Sequence, residues 1–206
     1  FSGMDGSLLW AFDGSAGWLS GLGAGLVGDI DGDGVNDVSV AAHGAKSNGK
    51  GAVFVLSGAD GTPLLELKSR SPSPSANALT TFGRFHCHGA GDIDGDGVPD
   101  IFVGDYNAKS PEPTDDGSPG FGTGRAYIYS GANGRILRDI RAEFVGDGMG
   151  PGRGVPDVDG DGHDDIYVAA YTFSDGGLAA VGKGYLMSGQ DGSVLRTMTG
   201  QTPAEL

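Results

Sequence analysis

The sequence predicts an all-β protein made of three tandem repeats and one leftover closing strand. Three observations support this. Glycine makes up 41 of the 206 residues, far above the usual ~7%, yet without the Gly-X-Y period of a collagen. Apolar residues fall in short runs such as Ala52-Val53-Phe54-Val55-Leu56, which suit short strands joined by Gly-rich turns. A nine-residue Asp-rich loop recurs with its first Asp at Asp29, Asp92 and Asp157, at spacings of 63 and 65 residues, and a fixed period of this kind marks a repeat architecture.

Each repeat has the same order of elements. After the Asp loop comes a β-like run: Val38–Ala42, Ile101–Gly104 and Ile166–Ala170. A second run follows at Gly51–Ser57, Gly124–Ser130 and Gly182–Ser188, and each ends in a Ser-Gly-x-Asp/Asn-Gly turn. Asp-Gly and Asn-Gly pairs are strong hairpin signals. A closing strand then follows, as in Leu64–Leu67. The N-terminus carries this closing signature alone, Ser2-Gly3-Met4-Asp5-Gly6 and then Leu8-Leu9-Trp10. The expected units are therefore a closing strand over 1–12 and repeats over 13–67, 68–140 and 141–206. Residues 69–77 and 109–120 read as Pro/Ser-rich, solvated insertions. Because the chain opens in mid-pattern at Phe1, it is expected to be a processed or excised segment.

Composition excludes several function classes. A net charge of −14 opposes binding to a phosphate backbone, so nucleic acid is not an expected partner. Cys87 is the single cysteine, so no disulfide can form within the chain. No apolar run approaches the length of a membrane-spanning helix.

The charge is concentrated in the three loops, and calcium is the ligand they predict. Each reads Asp-x-Asp-Gly-Asp-Gly-x-x-Asp. Carboxylates at positions 1, 3 and 5 are Asp29, Asp31 and Asp33; Asp92, Asp94 and Asp96; and Asp157, Asp159 and Asp161. They converge when the backbone curls round an ion, and Gly at position 6 permits the sharp turn. Carbonyls of Val35, Val98 and His163 at position 7 add neutral oxygens. Asp37, Asp100 and Asp165 at position 9 are expected to complete the shell, directly or through water. An all-oxygen donor set favours Ca2+ over zinc or copper, and its flexibility favours Ca2+ over Mg2+. Three Ca2+ sites follow, and metal binding is expected to contribute to folding. An EF-hand is excluded, because position 12 is Val40, Val103 or Val168 within a strand-like run, where a bidentate Glu is needed.

The pattern resembles FG-GAP repeats, found in the integrin α-subunit propeller and in bacterial extracellular proteins. The second repeat carries it most fully, with Phe82-Gly83, Gly91-Asp92 and Gly104-Asp105-Tyr106 around its loop. The first shows Gly28-Asp29 and Ala41-Ala42-His43, and the third Pro156-Asp157 and Ala169-Ala170-Tyr171, with no Gly-Ala-Pro in any repeat. The resemblance implies β-propeller-type blades of four antiparallel strands, with calcium held between two of the strands.

Other candidates have ordinary explanations. In His86-Cys87-His88 the two imidazoles share one strand face and Cys87 takes the other, as a small buried residue. His43, Tyr106 and Tyr171 are equivalent strand-end residues, suited to packing between repeats or to stacking on sugars. Trp10 and Trp18 are expected in core or inter-repeat contacts. No catalytic constellation is visible, so no enzyme activity is expected. Three blades do not close an ordinary propeller, which needs about four to eight. The chain is then part of a larger propeller, a unit that joins copies of itself into a ring or fibre through strand 1–12, or an array that stands alone. The expected function is a non-enzymatic, calcium-binding structural or adhesive module outside the cell or at its surface, meeting other protein chains or its own copies. The alternative is a carbohydrate-binding segment or an appendage of a secreted polysaccharide-active enzyme.

Overall fold

Asp, Gly and Ser-Gly turns cut the chain into runs of five to nine residues, too short for anything but strands. In the computed structural model, which describes residues 1–15, 20–42, 44, 51–70, 81–109 and 122–201, these runs form three four-stranded antiparallel sheets. There is no helix among the described residues. The first sheet is β1 (Ser20–Gly28), β2 (Asp37–Ala42), β3 (Ala52–Leu56) and β4 (Pro63–Lys68). The second is β5 (Cys87–Gly91), β6 (Asp100–Asp105), β7 (Arg125–Tyr129) and β8 (Ile136–Arg141). The third is β9 (Met149–Val155), β10 (Asp165–Ala170), β11 (Lys183–Met187) and β12 (Val194–Thr199). Each strand pairs with the next in sequence, so every sheet is a meander. The insertions at 71–77 and 110–120, together with His43 and Trp18, lie outside the described residues.

In a meander the first and third connections lie at one end of the sheet and the second at the other. The Asp loops and the Ser-Gly turns therefore share an end, and Tyr106 and Tyr171 mark the opposite one. The first strands β1, β5 and β9 lie side by side and are Gly-rich for a steric reason. A Cβ on Gly25 would fall 2.5 Å from the Cys87 carbonyl oxygen, and one on Gly154 would overlap the Ala90 backbone. These strands have little apolar alternation because their neighbours leave no room for side chains.

The sheets stack face to face, and alternation along each strand sends one row of side chains to each neighbour. Val53, Val55 and Leu67 of the first sheet meet Ile101, Val103, Tyr127 and Tyr129 of the second. Phe102, Ala126, Ile128 and Ile140 on the second sheet's other face meet Ile166, Val168 and Tyr185 of the third. Cys87 is fully buried in the first of these interfaces, and burial raises its thiol pKa.

The outer face of the first sheet is covered by the N-terminal segment. Ser2 donates its N–H to the Ser7 carbonyl and Gly6 to that of Ser2, at 2.8 and 2.9 Å. Ser57–Thr62, Ser130–Arg135 and Ser188–Ser193 form the same pair of bonds. Residues 8–12 form no strand, unlike the expected closing strand, but lie against the outer face of the first sheet. Phe12 packs against Phe54 with ring centroids 5.7 Å apart, and Trp10 Nε1–H donates to the Gly58 carbonyl at 2.9 Å. Arg138, at the matching position of β8, donates through Nη2 to the Gly189 carbonyl at 2.6 Å.

Matching closing-strand positions thus differ in what they face. Leu67 is 1% exposed and Ile140 7%, but Met198 is 51% exposed. Leu67→Ala is expected to cost about 2–5 kcal/mol of stability, whereas Met198→Ala should stay within about 0.5 kcal/mol. Denaturant melts of the two variants would check this, and equal losses would contradict the face assignment.

Candidate metal centre

The Asp loop joins the first strand of each sheet to the second, and its geometry recurs three times. The position 1 carboxylate lies inside the curl and accepts backbone N–H groups. Asp29 Oδ1 accepts from Gly32 at 2.8 Å and Asp33 at 3.1 Å, and Oδ2 accepts from Gly34 at 2.9 Å. Asp92 takes the same three bonds from Gly95, Asp96 and Gly97, and Asp157 takes them from Gly160, Asp161 and Gly162. The position 5 carboxylate accepts the N–H of position 7: Asp33 from Val35 at 2.7 Å, Asp96 from Val98 at 2.9 Å, Asp161 from His163 at 2.8 Å. The position 7 residues whose carbonyls are candidate ligands are therefore fixed by position 5.

Glycine is needed twice in each loop. Gly32 and Gly34 have φ of 77° and 86°, and Gly95, Gly97, Gly160 and Gly162 behave likewise. The position 6 requirement was readable from the sequence. The same requirement at position 4 was missed, although the Asp-Gly-Asp-Gly spelling carried it.

Position 9 has a second role that spacing did not disclose. Asp37, Asp100 and Asp165 are all fully buried. Asp37 Oδ2 accepts the Ile30 N–H at 2.7 Å and Oδ1 the Gly58 N–H at 2.9 Å. Asp100 joins Ile93 to Gly131 in the same way, and Asp165 joins Val158 to Gly189. Each position 9 carboxylate thus staples its loop to the Ser-Gly turn at the same end of the sheet. The glycine of that turn is fixed by a further constraint: a Cβ on Gly58, Gly131 or Gly189 would overlap the carbonyl oxygen of Asn36, Pro99 or Asp164.

In the first two loops the carboxylates at positions 1, 3 and 5 come together: Asp29, Asp31 and Asp33, then Asp92, Asp94 and Asp96. In the third, Asp157 and Asp159 are joined by Asp165, while Asp161 Oδ2 accepts a hydrogen bond from Ser188 at 3.3 Å. Within each group the ligand oxygens lie within 4.8 Å of one another, the spacing of a shared cation. Asp37 and Asp100 stand outside these groups of three. Partial desolvation, then the charges of Asp33, Asp37 and Asp29, raise the pKa of Asp31. Asp159 is raised in the same way, with Asp161 the foremost charge. The N–H groups of Gly162 and Gly160 instead lower that of Asp157.

The residues present fit a hard divalent cation. Every convergent donor is oxygen, and the Asp94 Oδ1 atom is buried with no hydrogen-bond partner. Its other oxygen lies 3.3 Å from Arg135 Nη2, an exposed guanidinium. The second and third loops also touch. Asp164 accepts the Asp92 N–H at 3.1 Å, and His163 Nδ1 lies 2.9 Å from the Ile93 carbonyl oxygen.

Comparison with known proteins finds relatives of part of this chain. Residues 29–103 match the family described as FG-GAP-like repeat. Human integrin alpha-IIb is 43% identical over 90 residues, which cover 40% of this chain and 8% of the integrin. Integrin alpha pat-2 of Caenorhabditis elegans is 40% identical over 83 residues, covering 39% of this chain and 7% of that protein. The chain therefore spans less than a tenth of these relatives' length. Among solved structures, rhamnogalacturonan lyase YesW aligns with a TM-score of 0.48 at 18% identity, over 86% of this chain and 34% of that one. Residues 29–103 thus carry an FG-GAP-like repeat, and this part of the chain is similar in sequence to integrin alpha subunits.

Proposed function

We propose that the chain is a non-enzymatic, calcium-binding structural or adhesive module that works outside the cell or at its surface. The observation that carries this reading is the threefold recurrence of one loop geometry, each with carboxylate oxygens within 4.8 Å of one another. Bound calcium supplies the positive charge that these groups lack. The chain's own part is to pre-form the curl through the position 1 carboxylate and to anchor it through position 9. Extracellular modules of this kind have calcium dissociation constants of roughly 10⁻⁴–10⁻³ M, which fills such loops outside cells and leaves them empty in the cytosol.

Assembly with other protein chains, including further copies, is part of the same reading. The outer face of the third sheet presents Val158 and Met198 at positions whose counterparts, Ile93 and Ile140, are buried against a neighbouring sheet. Another blade of this kind is the natural cover for that face, and repetition of the contact gives a ring or a fibre.

Calcium titration tests the metal-dependent part. At about 100 times its dissociation constant each ion stabilises the fold by ~2.7 kcal/mol, so the melting temperature should rise steeply with calcium. Calorimetry on the wild type should count one ion for each of the three acidic groups, and Asp94→Ala should remove one. A melting temperature indifferent to chelator would sink the proposal.

The pH dependence carries a second test. Burial raises Asp100 from 3.8 to about 6, against the lowering effect of its bonds from Gly131 and Ile93. A carboxyl raised by folding is most favourable in its protonated form. Its contribution is therefore complete below 3.8 and lost as pH rises through about 6. Calcium beside Asp94 favours the ionised form and opposes this loss. Melting temperature measured from pH 4 to 7 should fall more steeply in chelator than in calcium, and parallel curves would argue against a cation near Asp100.

A further inference from the structure

The end of the sheets opposite the Asp loops holds a group of rings that the calcium reading does not use. Phe85 precedes β5, Tyr106 follows β6 and Tyr171 follows β10. Phe85 and Tyr106 stack with centroids 6.0 Å apart and planes 16° from parallel. Tyr171 stands across Tyr106 at 6.1 Å and 75°. Phe85 and Tyr171 are 50% and 51% exposed, so packing between sheets does not account for them. The seat under Tyr171 is cleared by glycine, since a Cβ on Gly148 would lie 2.6 Å from the ring Cε1. Together with His86 and Pro151 the three rings line a cavity of ≈ 310 Å³.

A second cavity of ≈ 670 Å³ runs along the Gly-rich first strands, with His88 and Arg153 as its charged or titratable lining groups. The two cavities are linked by His86 and His88, whose rings meet edge to face at 6.1 Å. In a chain of net charge −14, neither cavity has an Asp or Glu in its wall. Arg153 forms no ion pair among the described residues. Both imidazoles are held below their ordinary pKa, by burial first, and Arg153 contributes to both shifts. Arg84 lies 5.3 Å over the Phe85 ring, and its buried Nε has no acceptor.

We propose that this pair of cavities is a binding site for a carboxylate-bearing oligosaccharide. The rings receive the apolar C–H face of one pyranose, as aromatic walls with a few polar groups receive small ligands generally. Neither the Tyr106 nor the Tyr171 hydroxyl is hydrogen-bonded by a described residue, so both are available to sugar hydroxyls. The Arg153 guanidinium takes the carboxylate of an adjoining sugar unit, a pairing that suits its planar donor geometry. A neutral sugar satisfies the rings but leaves Arg153 without its partner, and an acidic peptide does the reverse.

The test uses the whole chain in calcium, with a panel of uronic-acid tetrasaccharides, neutral tetrasaccharides of the same length and a tetra-aspartate peptide, read by calorimetry. At least one uronic-acid probe should bind, and the neutral and peptide probes should bind about tenfold more weakly or not at all. Tyr171→Ala and Arg153→Gln should each weaken that binding about tenfold while leaving the melting temperature and calcium stoichiometry unchanged. Both side chains are exposed, so the variants should fold. If Tyr171→Ala nonetheless lowers the melting temperature, Tyr171→Leu keeps the volume without the aromatic face and should show the same loss. The proposal is overturned if no uronic-acid probe binds, if neutral or peptide probes bind equally well, or if neither variant changes the affinity.

Discussion

The position 9 carboxylate is the interaction on which the rest of each blade depends. It is fully buried, and it ties the loop between the first two strands to the turn between the last two. Hydrogen bonds to a charged acceptor contribute about 1.5–3 kcal/mol each, and each of these carboxylates receives two from backbone N–H groups. Withdrawing a carboxylate from water costs several kcal/mol in return. The two terms are of similar size, so the staple is close to balance without a cation. A divalent ion in the adjoining loop would tip that balance toward the ionised, fully bonded form. Loop and sheet are in this way two halves of one folding unit.

Two features of the sequence follow from this constraint. The staple brings the position 8 carbonyl so near the Ser-Gly turn that only glycine fits at Gly58, Gly131 and Gly189. The Ser-Gly signature therefore reports a long-range close approach as well as a local turn. The position 2 residue donates its N–H to the same carboxylate. This bond fixes the backbone of position 2 within the loop.

Much of the fold was legible because its signals are local. The Asp loops gave the period, the runs after them gave the second and third strands, and the Asp-Gly turns gave the fourth. Of the first strands, only the start of β5 at Cys87 and His88 was legible. Ser20–Gly28 and Met149–Val155 are rich in glycine, and at Gly23, Gly25 and Gly154 neighbouring backbone occupies the space a side chain would need. Such strands are specified by their surroundings and have little alternation of their own. The convergence of positions 1, 3 and 5 in the first two loops followed from their spacing. In the third loop Asp165, the expected position 9 ligand, groups with Asp157 and Asp159, while Asp161 stands outside the group and accepts a bond from Ser188 in the turn after β11, which spacing did not disclose. Tyr106 and Tyr171 were recognisable as equivalent strand ends. That Phe85 stacks on one of them was not, because it comes from a different connection.

Position 2 links the metal loops to the packing of whole sheets. The Cδ1 atom of Ile30 reaches the Gly131 turn of the second sheet, and that of Ile93 reaches the Gly189 turn of the third. Each Asp loop is thus held by the turn of its own blade through position 9, and the first two press on the turn of the next through position 2. An ion that orders one loop therefore also sets the surface against which the following blade packs. Direct bonds from Asp164 and His163 to the second loop strengthen this coupling between the last two blades. Val158, the third residue in the series, is 53% exposed and presents the same contact unpaired. A cation held by these acidic groups would therefore act on the joint between blades as well as within each one.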